Sequence, residues 1–118
     1  MRYVNIVLCI LMVLFAAVQY NDPDAFLWIA VYLVPAIWAG LAAFRLDYLR
    51  RNAPMAALAV CMVAGLLGVV YYWPDTPGFW RKDVWWIVET AREGMGMMIV
   101  AVVMLVAFIS GWAARSRT

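Results

Sequence analysis

Four apolar stretches, residues 3–20, 25–44, 53–73 and 94–114, occupy about two-thirds of the 118-residue chain, and none carries a charged side chain in its interior. A helix rises about 1.5 Å per residue, so each stretch is long enough to cross the ~30 Å hydrocarbon core of a bilayer. Lipid offers no partner to an exposed peptide group, and a helix satisfies its own. The chain therefore reads as an all-α membrane protein with four transmembrane helices.

Composition narrows the function classes. Hydrophobic residues make up 69% of the chain and charged residues 14%, against ~45–50% and ~25% in soluble domains. Residues 74–93, the longest segment between spans, are too few to bury a core of their own, so residues 1–118 read as a single four-helix transmembrane domain. The net charge of +2 includes no basic run, which gives no sign of nucleic-acid binding. There is no histidine, which removes histidine-ligated haem and His-based zinc sites from this chain and with them the commonest general base. Cys9 and Cys61 lie singly inside spans and read as buried, unreactive thiols. No cofactor and no metal site follow from the sequence. The first span reads as a retained helix, because its apolar run exceeds the ~7–15 residues of a signal peptide and lacks a convincing cleavage site.

Counting Lys and Arg by loop gives an orientation. Arg2, Arg45, Arg50, Arg51, Arg115 and Arg117 flank one side, and Arg81, Lys82 and Arg92 the other. Six against three places the N- and C-termini in the cytoplasm by the positive-inside rule. In a bacterium, helical spans imply the inner membrane.

Within the spans, Pro35 should bend the second helix by leaving the Val31 carbonyl without its partner. The third span carries two rows of mostly small residues spaced by four, Ala53, Ala57, Cys61 and Gly65, and Ala56, Val60, Ala64 and Gly68. Such rows let helix backbones approach closely in lipid, so the third helix is expected to be the most enclosed. After a turn at Pro74-Asp75-Thr76-Pro77-Gly78, Asp83 is placed to cap a helix that starts at Val84 and runs on to Ala114. That helix is longer than the hydrocarbon core, so residues 84–93 should form an interfacial or projecting helical segment. Trp73, Trp80, Trp85 and Trp86 fit an aromatic belt there. Met95, Met97, Met98 and Met104 read as packing or lipid-facing residues rather than copper ligands, since Met95 and Met97 face different directions on a helix.

Two polar clusters stand out. Asn21-Asp22-Pro23-Asp24 joins the first two spans, where Asp22 can cap the second helix, Pro23 suits its first position and Asp24 complements its dipole. Glu89-Thr90-Ala91-Arg92-Glu93 precedes the fourth, with Glu89 and Glu93 on one face and Arg92 beside Glu89. Topology puts both clusters on one side of the membrane. Asp22, Asp24, Glu89, Arg92 and Glu93 are thus candidates for a structural lock between hairpins, or for a ligand or cation site.

These residues, with Trp28, Tyr32 and Pro35 in the second span and a glycine at the start of the fourth, resemble the transmembrane protein 220 family over most of the chain. The Asn-Asp-Pro-Asp turn is the specific part. The resemblance implies four spans with the acidic turn and the Arg/Glu segment as a signature, and it implies no established activity.

The polar groups of the span interiors are Asn5, Gln19, Ser110 and tyrosines, mostly near the ends, with no Asp, Glu, Lys or Arg, which argues against a self-contained transporter. Acid–base chemistry would have to use the loop carboxylates, and no nucleophile or histidine accompanies them, so the balance tips away from an enzyme without closing the question. The reading that best fits the small size, small-residue helix surfaces and tryptophan belt is a non-catalytic accessory or scaffold subunit. Its partner would be a larger membrane complex or a second copy of the chain. The alternative is a membrane protein, or membrane enzyme, that binds a small ligand or cation through the carboxylate and arginine cluster.

Overall fold

The computed structural model describes residues 1–21 and 23–116, so Asp22 and Arg117 lie outside the described residues. Helix α1 (Arg2–Ala17) tightens into a 3₁₀ turn (Val18–Asn21) and is followed by α2 (Ala25–Phe44), α3 (Leu46–Leu49), α4 (Asn52–Tyr71), α5 (Lys82–Trp85) and α6 (Glu89–Ser116). The first helix with its turn, α2, α4 and α6 are each long and apolar enough to cross a membrane. No strand occurs among the described residues. The protein is an integral membrane four-helix bundle, and its spans fall close to the apolar stretches of the sequence.

Helix α2 continues through Pro35, which is fully buried. Its inner stripe, Trp28, Tyr32, Ala36, Ala39 and Ala43, recurs every three or four residues and so lies on one face. Small residues along that stripe let α1 and α6 pack close to α2.

The most enclosed helix is the fourth span, not the third. In α6 44% of the apolar window is buried, against 22% in α4. Helix α6 touches α1, α2, α3, α4 and α5, whereas α4 packs chiefly on α6. Of the two rows in α4, Ala53, Ala56, Ala57, Val60 and Ala64 are exposed. The contacts form instead where methionines of α6 meet glycines of α4. Met104 lies over Gly65, its methyl 2.7 Å from where a β-carbon would stand, and Met97 lies over Gly68 in the same way. Small residues occur in both helices, so their spacing in α4 alone does not reveal which side is occupied.

At the end of the bundle near Met1 and Ser116, packing is closed. Asn5 donates through Nδ2 to Ser110 Oγ at 2.9 Å and to the Met1 carbonyl at 3.0 Å. Ser110 in turn donates its hydroxyl hydrogen bond to the Val106 carbonyl at 2.8 Å. Leu49 of α3 is fully buried, and it and Met55 crowd Gly111. The guanidinium carbons of Arg2, Arg51 and Arg115 sit 5.7–5.9 Å from the rings of Phe44, Tyr48 and Trp112, which keeps the charges at the rim of the apolar zone.

Three local expectations are corrected at the opposite end. Asp83 does not cap a helix starting at Val84. It lies inside the single turn α5 and pairs with Arg81 at 3.1 Å. The helix does not run on unbroken either, since residues 86–88 interrupt it and α6 begins at Glu89. In the first loop, α2 begins at Ala25, so Pro23 and Asp24 precede it, and the Asp24 side chain makes no capping hydrogen bond. Gly78, at φ 68°, takes the left-handed conformation that the Pro-Gly turn requires.

Candidate functional site

The loop end of the bundle opens where the other end closes. A cavity of about 300 Å³ lies between α1, α2 and α6. The first helix and its turn contribute Phe15, Val18 and Gln19, helix α2 contributes Trp28 and Tyr32, and Trp85 comes from α5. Helix α6 supplies Glu89, Arg92, Glu93, Met95, Gly96 and Ile99. From Glu89 to Ile99 the wall descends ~15 Å along the helix axis, from charged groups at the rim to Phe15, Met95 and Ile99 below.

The shape follows from local sequence. Helix α6 has no side chain at Gly96, and the Tyr32 hydroxyl lies where a β-carbon would stand. Two positions earlier, Gly94 admits the Tyr72 carbonyl and the Pro74 ring, which a β-carbon would meet at 2.5 and 2.6 Å. The two glycines thereby draw α2 and the end of α4 against the start of α6. Trp28 bridges them further, with ring centroids 6.1 Å from Tyr32 and 5.3 Å from Tyr72. Phe15 meets Tyr32 edge-on at 5.5 Å. The aromatic wall is therefore rigid by mutual contact.

Arg92 explains the break before α6. Its Nη1 donates to the carbonyls of Trp85 at 3.1 Å and Trp86 at 2.8 Å. In an unbroken helix those carbonyls would accept from the backbone N–H groups of Glu89 and Thr90. The guanidinium takes them over, so the chain can turn without orphaning either one. Among the described residues, the ion pairs join Arg45 to Asp47 and Arg81 to Asp83; Arg92 acts through main-chain carbonyls.

Of the five residues singled out in the sequence, Glu89, Arg92 and Glu93 come together on the cavity wall. Asp24 stands at the start of α2 but not on that wall, and Asp22 lies outside the described residues. Sequence reasoning missed Gln19, Trp28, Tyr32, Trp85 and Gly96 as site residues. Tyr32 and Trp28 are only 6% and 3% exposed, and neither the phenol nor the indole N–H has a hydrogen-bond partner among the described residues. Their spacing, four apart on one helical face and close to an acidic loop, is the signal that could have found them. Gln19 donates to the Phe15 carbonyl at 3.2 Å. Among the described residues, no three of the His, Cys, Asp and Glu type gather closely enough to hold a metal ion. Cys9 and Cys61 are free thiols, each partly buried.

Residues 11–109 match a family model described as Transmembrane family 220, helix. The matched segment contains every residue on the cavity wall. No solved structure matches the chain.

Proposed function

The chain belongs to transmembrane family 220, and from that premise we propose that it is a binding protein of the membrane that holds a small ligand in the cavity between α1, α2 and α6. One observation carries this reading: a cavity of about 300 Å³ walled by nearly buried Trp28 and Tyr32 and rimmed by Glu89, Arg92 and Glu93. Cavities of that size with few polar groups among aromatic side chains are the common form of ligand site. The chain works here as one four-helix domain. In this reading both termini are cytoplasmic and the cavity opens on the other face, which the count of Lys and Arg by loop supports. The carboxylates serve binding rather than catalysis in this reading.

Extraction of the tagged protein in a mild detergent, followed by native mass spectrometry, tests the proposal. A small molecule should remain on the wild type and be displaced in Met95→Trp, which fills the cavity. Equal retention by both proteins rejects the cavity as the site.

A second reading, as an accessory subunit, draws on the exposed alanine face of α4 at Ala53, Ala56, Ala57 and Ala64. Small faces support close helix contacts in lipid. Recovery of a stoichiometric membrane partner that is lost in Ala57→Leu would favour it over an isolated binding protein.

A further inference from the structure

The geometry points to an ammonium group carried on an apolar tail as the ligand of this cavity, with the ammonium at the Glu89–Glu93 rim between aromatic rings and the tail toward Ile99. The inference rests on the binding reading above and adds the chemistry of what is bound.

Charge gives the first argument. Two carboxylates, those of Glu89 and Glu93, and one guanidinium line the wall, so the rim carries acceptors of the kind that suit a cation. The guanidinium is also drawn aside, because its Nη1 donates to the carbonyls of Trp85 and Trp86. Glu89 lies one helical turn from Glu93, so both carboxylates face the same volume. A divalent cation takes about six oxygen ligands, and among the described residues no three of the His, Cys, Asp and Glu type gather to supply them. Aromatic faces beside carboxylates attract ammonium groups, which gain from the ring quadrupole and from charge-assisted hydrogen bonds to the carboxylates.

The second argument is independent of charge. Tyr32 is 6% exposed, and its hydroxyl lies against Gly96 on the cavity wall with no partner among the described residues. The hydroxyl borders the cavity, so an atom of a bound ligand can meet it there. A hydroxyl can accept from an ammonium or donate to an oxygen beside it. Beside it Phe15 and Met95, and Ile99 about one turn deeper, offer nothing to a polar group and accommodate a chain. Polar rim, buried hydroxyl and apolar floor together describe an amphiphile.

The ammonium has two sources, a membrane lipid headgroup or a free alkylamine. The full-length protein, purified in a maltoside detergent, is titrated with octylammonium and, in parallel, reconstituted in nanodiscs containing phosphatidylethanolamine. Octanol, octyl sulfate and phosphatidylglycerol are the matched neutral and anionic probes. Thermal shift and native mass spectrometry read binding. The ammonium probes should bind about tenfold more tightly than the neutral and anionic ones. Glu89→Gln, at an exposed position that leaves packing intact, should remove most of that preference, and Tyr32→Phe should weaken binding without changing it. Preference for phosphatidylethanolamine alone identifies a lipid site, and preference for octylammonium alone identifies a free amine. Equal binding of octanol, still blocked by Met95→Trp, overturns the ammonium assignment and leaves the cavity as a site. No binding of any probe, with nothing retained from the native membrane, overturns both.

Discussion

Near Met1, Asn5 is sealed at 0% exposure and gives its amide to Ser110, while at the other end Tyr32 is almost as deeply buried and keeps an unmatched hydroxyl on a cavity wall. Each end places polar atoms among apolar helices, where a missing partner is costly. At the Asn5 end the polar contact bridges α1 and α6, and neighbouring Leu49 and Met55 close over Gly111. Asn5 Oδ1 lacks a partner among the described residues, but it is enclosed and nothing can reach it. At the Tyr32 end glycines bring the helices close without filling the space beside them. The contrast separates polarity that joins helices from polarity that is held ready for something else.

The comparison breaks most directly at the glycines. Gly94→Val forces a branched side chain onto the Tyr72 carbonyl and the Pro74 ring, neither of which can swing away. A loss of about 3 kcal/mol is expected from such overpacking, seen as a lowered Tm in detergent. Gly40→Ala is the control, since its added carbon would meet only Cys9 Sγ at an ordinary 3.6 Å; its stability should stay within about 0.5 kcal/mol of wild type.

Arg92→Leu comes next. It strips the donors from two exposed carbonyls, at a cost of about 0.5–1.5 kcal/mol, and should speed hydrogen exchange across residues 85–89 while leaving α1 and α2 protected. Because the partners are carbonyls, Arg92→Glu combined with Asp24→Lys should be no more stable than Arg92→Glu alone. Recovery in that double-mutant cycle would instead establish a charge lock between the hairpins.

A smaller effect sharpens the contrast itself. The Asn5–Ser110 coupling in an Asn5→Ala, Ser110→Ala cycle should be about 0.6 kcal/mol, the usual scale for such bonds between membrane helices. Tyr32→Phe, which removes no bond among the described residues, should leave Tm unchanged or slightly higher. A Tyr32→Phe protein as destabilised as Asn5→Ala would make the phenol a structural group.

The smallest effect is a pH response in the loop at the Asn5 end. The Arg45 guanidinium, whose Nε donates to Asp47 Oδ1 at 3.4 Å, holds that carboxyl below its ordinary value of 3.8. A folded value below the unfolded one contributes stability above pH ~3.8, lost as pH falls through the folded value. Both side chains are exposed, so Asp47→Asn should fall only marginally below wild type in Tm at pH 7, and the difference should vanish as pH falls through the folded value.

Much of the fold was legible because hydropathy is a property of each residue alone. Residues 25–44 form α2 as expected, and the acidic and basic groups of 89–93 do share a cavity wall. What could not be read depends on partners far along the chain. Whether the alanines of α4 or the glycines of α6 face inward is decided by which helix arrives beside them. The break at 86–88 depends on a guanidinium reaching back six and seven residues to carbonyls that helical spacing assigns elsewhere. Tyr32 looked like an ordinary span residue because nothing in its neighbours reveals the small gap that Gly96 leaves opposite.

Because α4 leans chiefly on α6, the order of synthesis has a consequence. A ribosome delivers α1 and α2 first, and they can settle against each other at once. Helix α4 follows but finds little protein surface of its own, so it must wait in lipid until the final helix emerges. Met97 and Met104, on that last segment, then close the seam over Gly68 and Gly65. The closing helix is a keystone: a chain stopped before residue 89 would keep its first hairpin and leave its third helix adrift.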